Sequence, residues 1–178
     1  AWMKNLRDAA YRESSQLAKE KGAFQLFEEE AYMKGPNIKM LPKDIQEDIK
    51  EFGIRNALLT SIAPTGTISL LADNVSSGVE PVFAFKYERT VLRPDGSKSI
   101  EPVHDFAYQM YLNLKGDTKS LPEEFVSAHS LRPEDHLVMQ STVQKYIDSS
   151  ISKTINCPEN ISFEDFENIY QKAYDLGC

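Results

Sequence analysis

Residues 62–69, Ile-Ala-Pro-Thr-Gly-Thr-Ile-Ser, hold the densest set of groups able to do chemistry in this sequence. An apolar stretch runs into a tight turn and then into Ile68 to Ala72, which suits the first turns of a short helix. A helix N-terminus presents unpaired N–H groups and a partial positive charge. Gly66 lets the backbone approach a ligand closely. Thr65, Thr67 and Ser69 add neutral hydroxyl donors. Pro64, Thr65, Gly66, Thr67, Ile68 and Ser69 therefore form a candidate loop for a phosphate or diphosphate. The Walker A spelling is absent, so such a loop would bind phosphate without dedicated chemistry for cleaving it. The same residues also suit a plain turn with a threonine N-cap.

Other reactive types are sparse. Cys157 and Cys178 form no short-spaced pair, so neither a zinc cluster nor a disulfide scaffold is supported. Cys157 reads as an inert strand residue and Cys178 as a packing residue at a helix end. His104, His129 and His136 lack metal-ligand spacing and suit surface or structural roles. No metal site is expected. Glu80 follows a glycine loop and either faces the site or is a solvated carboxylate. Gln140, Gln144 and Asp148 recur at i, i+4 and i+8, either lining an opening or forming a solvated helix face. Tyr87, Glu88 and Arg89 read as alternating strand residues.

The elements that must position these groups come from periodicity. The opening stretch reads as helix, with Leu6, Ala10, Leu17 and Ala18 near helical spacing and a stop at Lys21-Gly22. A second piece, Phe24 to Met33, ends at Gly35-Pro36. A third starts at Pro42, carries Ile45, Ile49 and Phe52, and stops at Gly53. Ala57 to Ala63 reads as a strand buried on both faces, and Ser152 to Cys157 as a second short strand. Val82 to Leu92 with Pro94-Asp95-Gly96-Ser97 predicts a hairpin closing on Lys98 to Glu101. Asp105 to Leu114 is predicted helical, with Phe106, Met110 and Leu114 on one face. Pro133 opens a helix to about Ser150. The last helix has Ser162 and Asp165 as a capping box, an apolar face of Phe163, Phe166, Tyr170 and Ala173, and Gly177 as its stop.

Strands alternating with helices predict an α/β fold with a parallel component. A single unit is expected, organised as a helical lead-in (1–55), a strand, loop and strand (56–93), a hairpin with helices (94–132) and a helix-strand-helix segment (133–178). Gly177-Cys178 falls where a helix would hand over to a strand, so a fragment is expected. The 178 residues are 41% hydrophobic and 26% charged, an ordinary globular composition. A net charge of −7 argues against nonspecific nucleic-acid binding but leaves a local basic pocket open. No apolar run reaches the ~18 residues of a membrane span. No secretory pattern is present, Asn74 and Asn160 are read as chance glycosylation sequons, and a reducing cytoplasm is the simplest setting.

Asn56 to Ser69 followed by Ser76-Ser77-Gly78-Val79-Glu80-Pro81-Val82-Phe83 closely resembles the large catalytic chain of ribonucleotide reductases, nearest the adenosylcobalamin-dependent class. The resemblance continues in Gln144 to Asn156 and in Ala173 to Cys178. It implies a helix-rich part of a ten-stranded α/β barrel, with Pro64 to Ser69 binding the phosphates of a ribonucleoside di- or triphosphate. It also implies adenosylcobalamin as radical generator, a cysteine pair and a thioredoxin-type reductant for the parent, and the remainder of the barrel as partner. The family reaction replaces the ribose 2′-hydroxyl with hydrogen after a thiyl radical takes the 3′-hydrogen. The family's Asn-x-Cys-x-Glu finger motif is absent, and Asn156-Cys157-Pro158 does not match it. That motif would lie upstream of Ala1, and the reducing cysteines and redox tail are missing. No catalytic residue is carried over, and the chain alone is expected to be inactive. The alternatives are a noncatalytic nucleotide-binding or interaction module, or part of a diferric-dependent large subunit.

Overall fold

Helix α1 (Trp2–Lys21) opens the computed structural model, which describes residues 1–116 and 120–178. Two compact units divide the chain. The first comprises Ala1–Ile62, Met139–Ile151 and Ala173–Cys178; the second comprises Ala63–Val138 and Ser152–Lys172.

The first unit is built on α1, α2 (Glu29–Met33), α3 (Pro36–Lys39) and α4 (Lys43–Phe52). Ile45 and Ile49 of α4 are fully buried, as the i, i+4 spacing predicts, and join Tyr11, Ile38, Leu41 and Ile54 in one core. Phe24, Phe27 and Tyr32 pack on it with ring centroids 5.4–6.0 Å apart. Gly53 ends α4 at φ 77°.

Here α1 departs from expectation. Its buried face is Arg7, Tyr11, Ser14, Ser15 and Ala18, while Leu6 is 53% exposed. Small hydroxyls admit a close approach and are satisfied in place. The Ser15 hydroxyl donates to the Gly53 carbonyl at 3.1 Å, and Ser14 donates to the Asn56 side chain at 3.0 Å. Phe24 to Met33 is not one helix either. The Phe24 N–H donates to the Ile54 carbonyl at 3.0 Å, and the Glu28 carboxylate caps α2 through the Ala31 N–H at 2.7 Å. Pro36 begins α3, where its missing N–H is no loss.

Ala57 to Ala63 does not form the expected buried strand, and Leu58 is 67% exposed. One carboxylate explains the break. The Leu59 and Thr60 amides donate to the two oxygens of Asp148 at 2.9 and 2.8 Å. Successive amides of an extended strand point to opposite sides, so two neighbours converging on one group cannot keep the pleat. Parallel pairing is reduced to two isolated bridges, Val82 with Ser127 and Ile62 with Ile151, the Ile62 N–H donating to the Ser150 carbonyl at 3.2 Å. Ser152 to Cys157 likewise has no strand. α7 (Pro133–Gln144) stops short of Ser150, because the Gln144 side chain donates to the carbonyls of Ile147 and Ser149. Asp148 therefore lies off the helix, and the predicted Gln140–Gln144–Asp148 stripe does not exist.

The second unit contains α5 (Gly66–Leu71), β1 (Lys86–Leu92), β2 (Lys98–His104) and α6 (Phe106–Lys115), with most of α8 (Phe163–Asp175). The hairpin forms on the predicted turn. Arg89 pairs with Glu101, and Asp95 accepts from the Ser97 amide at 2.9 Å. β2 runs three residues past the expected Glu101. Asp105 caps α6 through the Tyr108 N–H at 3.0 Å. The buried residue of α6 is Tyr108, held between Phe85 and His104, while Phe106, Met110 and Leu114 face solvent. Ser162 caps α8, its hydroxyl accepting from the Asp165 N–H at 3.0 Å and donating to the Asp165 carboxylate at 2.7 Å. Its predicted apolar face is exposed at Phe163, Phe166 and Tyr170, and Ile169 is buried instead. The mixed helix and strand content agrees with the α/β expectation. Among the described residues the only sheet is the two-stranded antiparallel hairpin.

Candidate functional site

A cleft of about 660 Å³ in the second unit brings α5 together with the 74–77 loop, Glu80, Phe83 and the Tyr87 and Arg89 side of β1. Of the six predicted loop residues, Gly66, Thr67 and Ser69 line it, and Pro64, Thr65 and Ile68 do not. The first helical bond runs from the Ser69 N–H to the Thr65 carbonyl at 2.8 Å. The amides of Gly66, Thr67 and Ile68 therefore precede the helical ladder. The Ser69 hydroxyl is not a free donor, because it donates to the Gly66 carbonyl at 2.7 Å.

The turn's unusual backbone sits one residue earlier than the glycine suggested. Thr65 has φ 50° and ψ 24°, in the left-handed region, whereas Gly66 is not at positive φ. A β-branched residue is seldom found there. Its hydroxyl accepts from the Gly78 N–H at 2.7 Å, which ties the turn to the 76–80 loop. At Gly66 an added Cβ would meet nothing within 4 Å, so the space beside that backbone is open.

The other end of the 76–80 loop is fixed by charge. Lys153, whose side chain is 1% exposed, donates to Glu80 at 2.6 Å. The second Glu80 oxygen accepts from the Thr154 N–H at 2.6 Å. Lys153 also donates to Nδ1 of His136 at 2.8 Å and to the Thr154 carbonyl. With Nδ1 accepting, Nε2 of His136 carries the hydrogen and faces the Ala128 carbonyl at 3.4 Å. Burial, and then the Lys153 ammonium, hold the His136 imidazole below its ordinary pKa. Glu80 thus lines the cleft with its charge already matched.

Tyr87 and Arg89 line the cleft and Glu88 does not, the alternation expected of a strand. His129 meets the cleft residue Phe83 edge-on at 4.5 Å, and His104 bonds Gln109 at 2.6 Å. Cys157 is half-buried outside any strand, and Cys178 is exposed. Among the described residues no cluster of His, Cys, Asp or Glu could hold a metal ion, and no helix is long and apolar enough to cross a membrane. Lys153 drew no candidate role from the sequence, and Asp148, placed there on a helical stripe, instead accepts from the Leu59 and Thr60 amides. A lysine in Ser-Lys-Thr carries no local sign of burial, since lysines are almost always exposed.

Comparison with known proteins agrees along the whole chain. The model of the ribonucleotide reductase barrel domain matches residues 1–178. A vitamin B12-dependent ribonucleoside-diphosphate reductase of Thermoplasma acidophilum is 33% identical over 192 residues, covering 99% of this chain and 23% of that protein. One of Mycobacterium tuberculosis is 30% identical over 192 residues, covering 97% of this chain and 25% of its own length. A vitamin B12-dependent ribonucleotide reductase of Streptomyces coelicolor is 28% identical over 152 residues, covering 70% and 15%. The chain spans about a quarter or less of the length of these relatives. With the match running from the first residue to the last, the chain belongs to the ribonucleotide reductase barrel-domain family.

Proposed function

We propose that this chain supplies the substrate-phosphate loop and part of the barrel scaffold of a ribonucleotide reductase, within a ten-stranded barrel completed by the rest of the parent. The amides of Gly66, Thr67 and Ile68, with the Thr67 hydroxyl, donate to the terminal phosphates of a ribonucleoside di- or triphosphate. Arg89 adds a cation on the same cleft. Glu80 does not repel the ligand strongly, because Lys153 offsets its charge. The observation that carries this reading is the open space beside Gly66, in a first helical turn of which Gly66, Thr67 and Ser69 line a cleft.

Radical generation belongs to the parent, where adenosylcobalamin supplies the initiating radical and a thioredoxin-type protein the reducing equivalents. The names of the relatives favour that cofactor over a diferric centre. No residue of this chain is assigned to either, and a cytoplasmic setting goes with this reading.

The test is nucleotide affinity in the full-length protein. Gly66→Val should weaken it more than Thr65→Ala, with circular dichroism checking that the fold is kept, since no atom stands within 4 Å of the added Cβ. The valine would push the phosphates off several amides at once. Thr65→Ala removes only the hydroxyl that accepts from the Gly78 N–H, a neutral bond worth about 0.5–1.5 kcal/mol. Equal affinity in wild type and Gly66→Val would make the loop a structural turn.

A further inference from the structure

We propose that Lys153 and Glu80 are positioning residues that hold Thr65 in its left-handed backbone and so keep the phosphate loop in its binding shape. The inference rests on the phosphate reading for its consequence, but its geometry stands apart from it. A β-branched residue at φ 50° persists only where its surroundings hold it there. The hydroxyl of Thr65 is held by the Gly78 N–H at 2.7 Å. Gly78 sits in a short loop closed on itself, with the Glu80 N–H donating to the Ser77 carbonyl at 3.0 Å and the Ser76 hydroxyl to the Glu80 carbonyl.

That loop is anchored by the Glu80 carboxylate. One oxygen is held by the buried Lys153 ammonium and the other by the Thr154 N–H. The ammonium's remaining hydrogens go to His136 and to the Thr154 carbonyl, so its position is fixed from three sides. Force on the turn thus passes from Lys153 through Glu80 and Gly78 to Thr65. None of the four need touch the nucleotide.

The experiment compares Lys153→Met in two backgrounds of the full-length protein, wild type and Thr65→Gly, with cytidine diphosphate and triphosphate as probes. Glycine adopts the left-handed backbone freely and has no hydroxyl to hold, so it severs the route. In the wild-type background Lys153→Met should weaken affinity about tenfold, equivalent to about 1.4 kcal/mol. In the Thr65→Gly background the same change should shift affinity by less than about twofold. A merely structural lysine would give equal losses in both backgrounds, and that result overturns the proposal. No loss in either overturns it too.

If Lys153→Met fails to fold, Glu80→Gln carries the same comparison. It keeps an oxygen for the Thr154 N–H but turns an amide NH2 toward the ammonium, and a loss of about threefold in wild type alone is expected. A second measurement separates this proposal from the phosphate reading. Without nucleotide, Lys153→Met should speed amide exchange across residues 75–82 in the wild-type background. If neither nucleotide binds the wild-type protein, the phosphate reading fails and this arm still decides: faster exchange supports the positioning role, and unchanged exchange refutes it.

Discussion

At Gly53, in the helical unit, the backbone has φ 77° and an added Cβ would stand 2.7 Å from the Cβ of Ala23; at Gly66, beside the cleft, an added Cβ would meet nothing. One glycine is required by the fold, and the other leaves room that the fold does not use. The two units also differ in how much apolar surface they bury, although α1 of the helical unit buries Arg7, Ser14 and Ser15 as well. The helical unit buries isoleucines, Leu41 and Tyr11 under an aromatic cluster. The cleft-bearing unit buries His136, Asp105, Ser69 and the Lys153 side chain, with few large apolar residues beside them. Apolar burial is nondirectional and forgiving of small shifts, whereas hydrogen-bonded charge fixes atoms in place. Stability is thus concentrated in one unit and geometric definition in the other.

The sharpest way to break this contrast is Ile49→Ala. Removing a fully buried branched side chain should cost about 2–5 kcal/mol. Amide exchange in the full-length protein should rise across α1 and α4 and stay unchanged across the 98–104 strand. Loss of protection in both would show that the two units unfold together.

Gly53→Ala should follow, at roughly 1–3 kcal/mol for an L-residue at φ 77° and ψ −161°, a backbone region essentially confined to glycine, with the Ala23 contact adding to it. A chemical-denaturation midpoint for the helical transition checks this, and an unchanged midpoint would show that the turn relaxes easily.

The pH response should belong to the polar unit. Unfolded, the His136 imidazole takes a proton near its ordinary ~6.5; folded, burial and Lys153 keep that value lower, against smaller opposing effects from the Ala128 carbonyl, Glu80 and Asp135. Between the two values the unfolded chain binds more protons, so stability is full above ~6.5 and falls as pH drops through the window. Amide protection factors across residues 132–138, which remove the intrinsic slowing of exchange in acid, should fall on acidification, and His136→Gln should flatten that response. The same slope in both proteins would locate the sensitivity elsewhere.

The smallest effect is expected at Gly66→Ala, within about 0.5 kcal/mol of wild type as judged by the denaturation midpoint. A large destabilisation would mean that this glycine, too, is a structural requirement.

Apolar spacing made α4 legible, because Ile45 and Ile49 are buried by the same face that the sequence displays. Local chemistry made the Asp95-Gly96 turn and the Ser162–Asp165 cap legible, since each is closed within four residues. The buried face of α1 was hidden because serines and Arg7 occupy it, the serines held by partners more than 30 residues away and Arg7 by Asp8 and the distant Met40 carbonyl. The strand expected at 57–63 was lost to a carboxylate 88 residues downstream of Thr60. The chain does turn into a helix here, but α5 begins at Gly66 rather than Ile68 and the left-handed residue is Thr65, which nothing local in Ala-Pro-Thr-Gly-Thr distinguishes from the glycine. Lys153 was silent for the same reason as Asp148: its role is set by residues far away in sequence.

That separation between Asp148 and the 59–60 amides has a consequence in time. The ribosome adds about 5–20 residues each second, so the 88 residues from Thr60 to Asp148 take on the order of 4–18 s to appear. Throughout that interval α1 and α4 can pair, while the Leu59 and Thr60 amides and the Tyr11 hydroxyl wait for their acceptor. The helical unit of the nascent chain therefore spends those seconds as an unfinished shell, closed only when a segment synthesised after most of the cleft-bearing unit arrives.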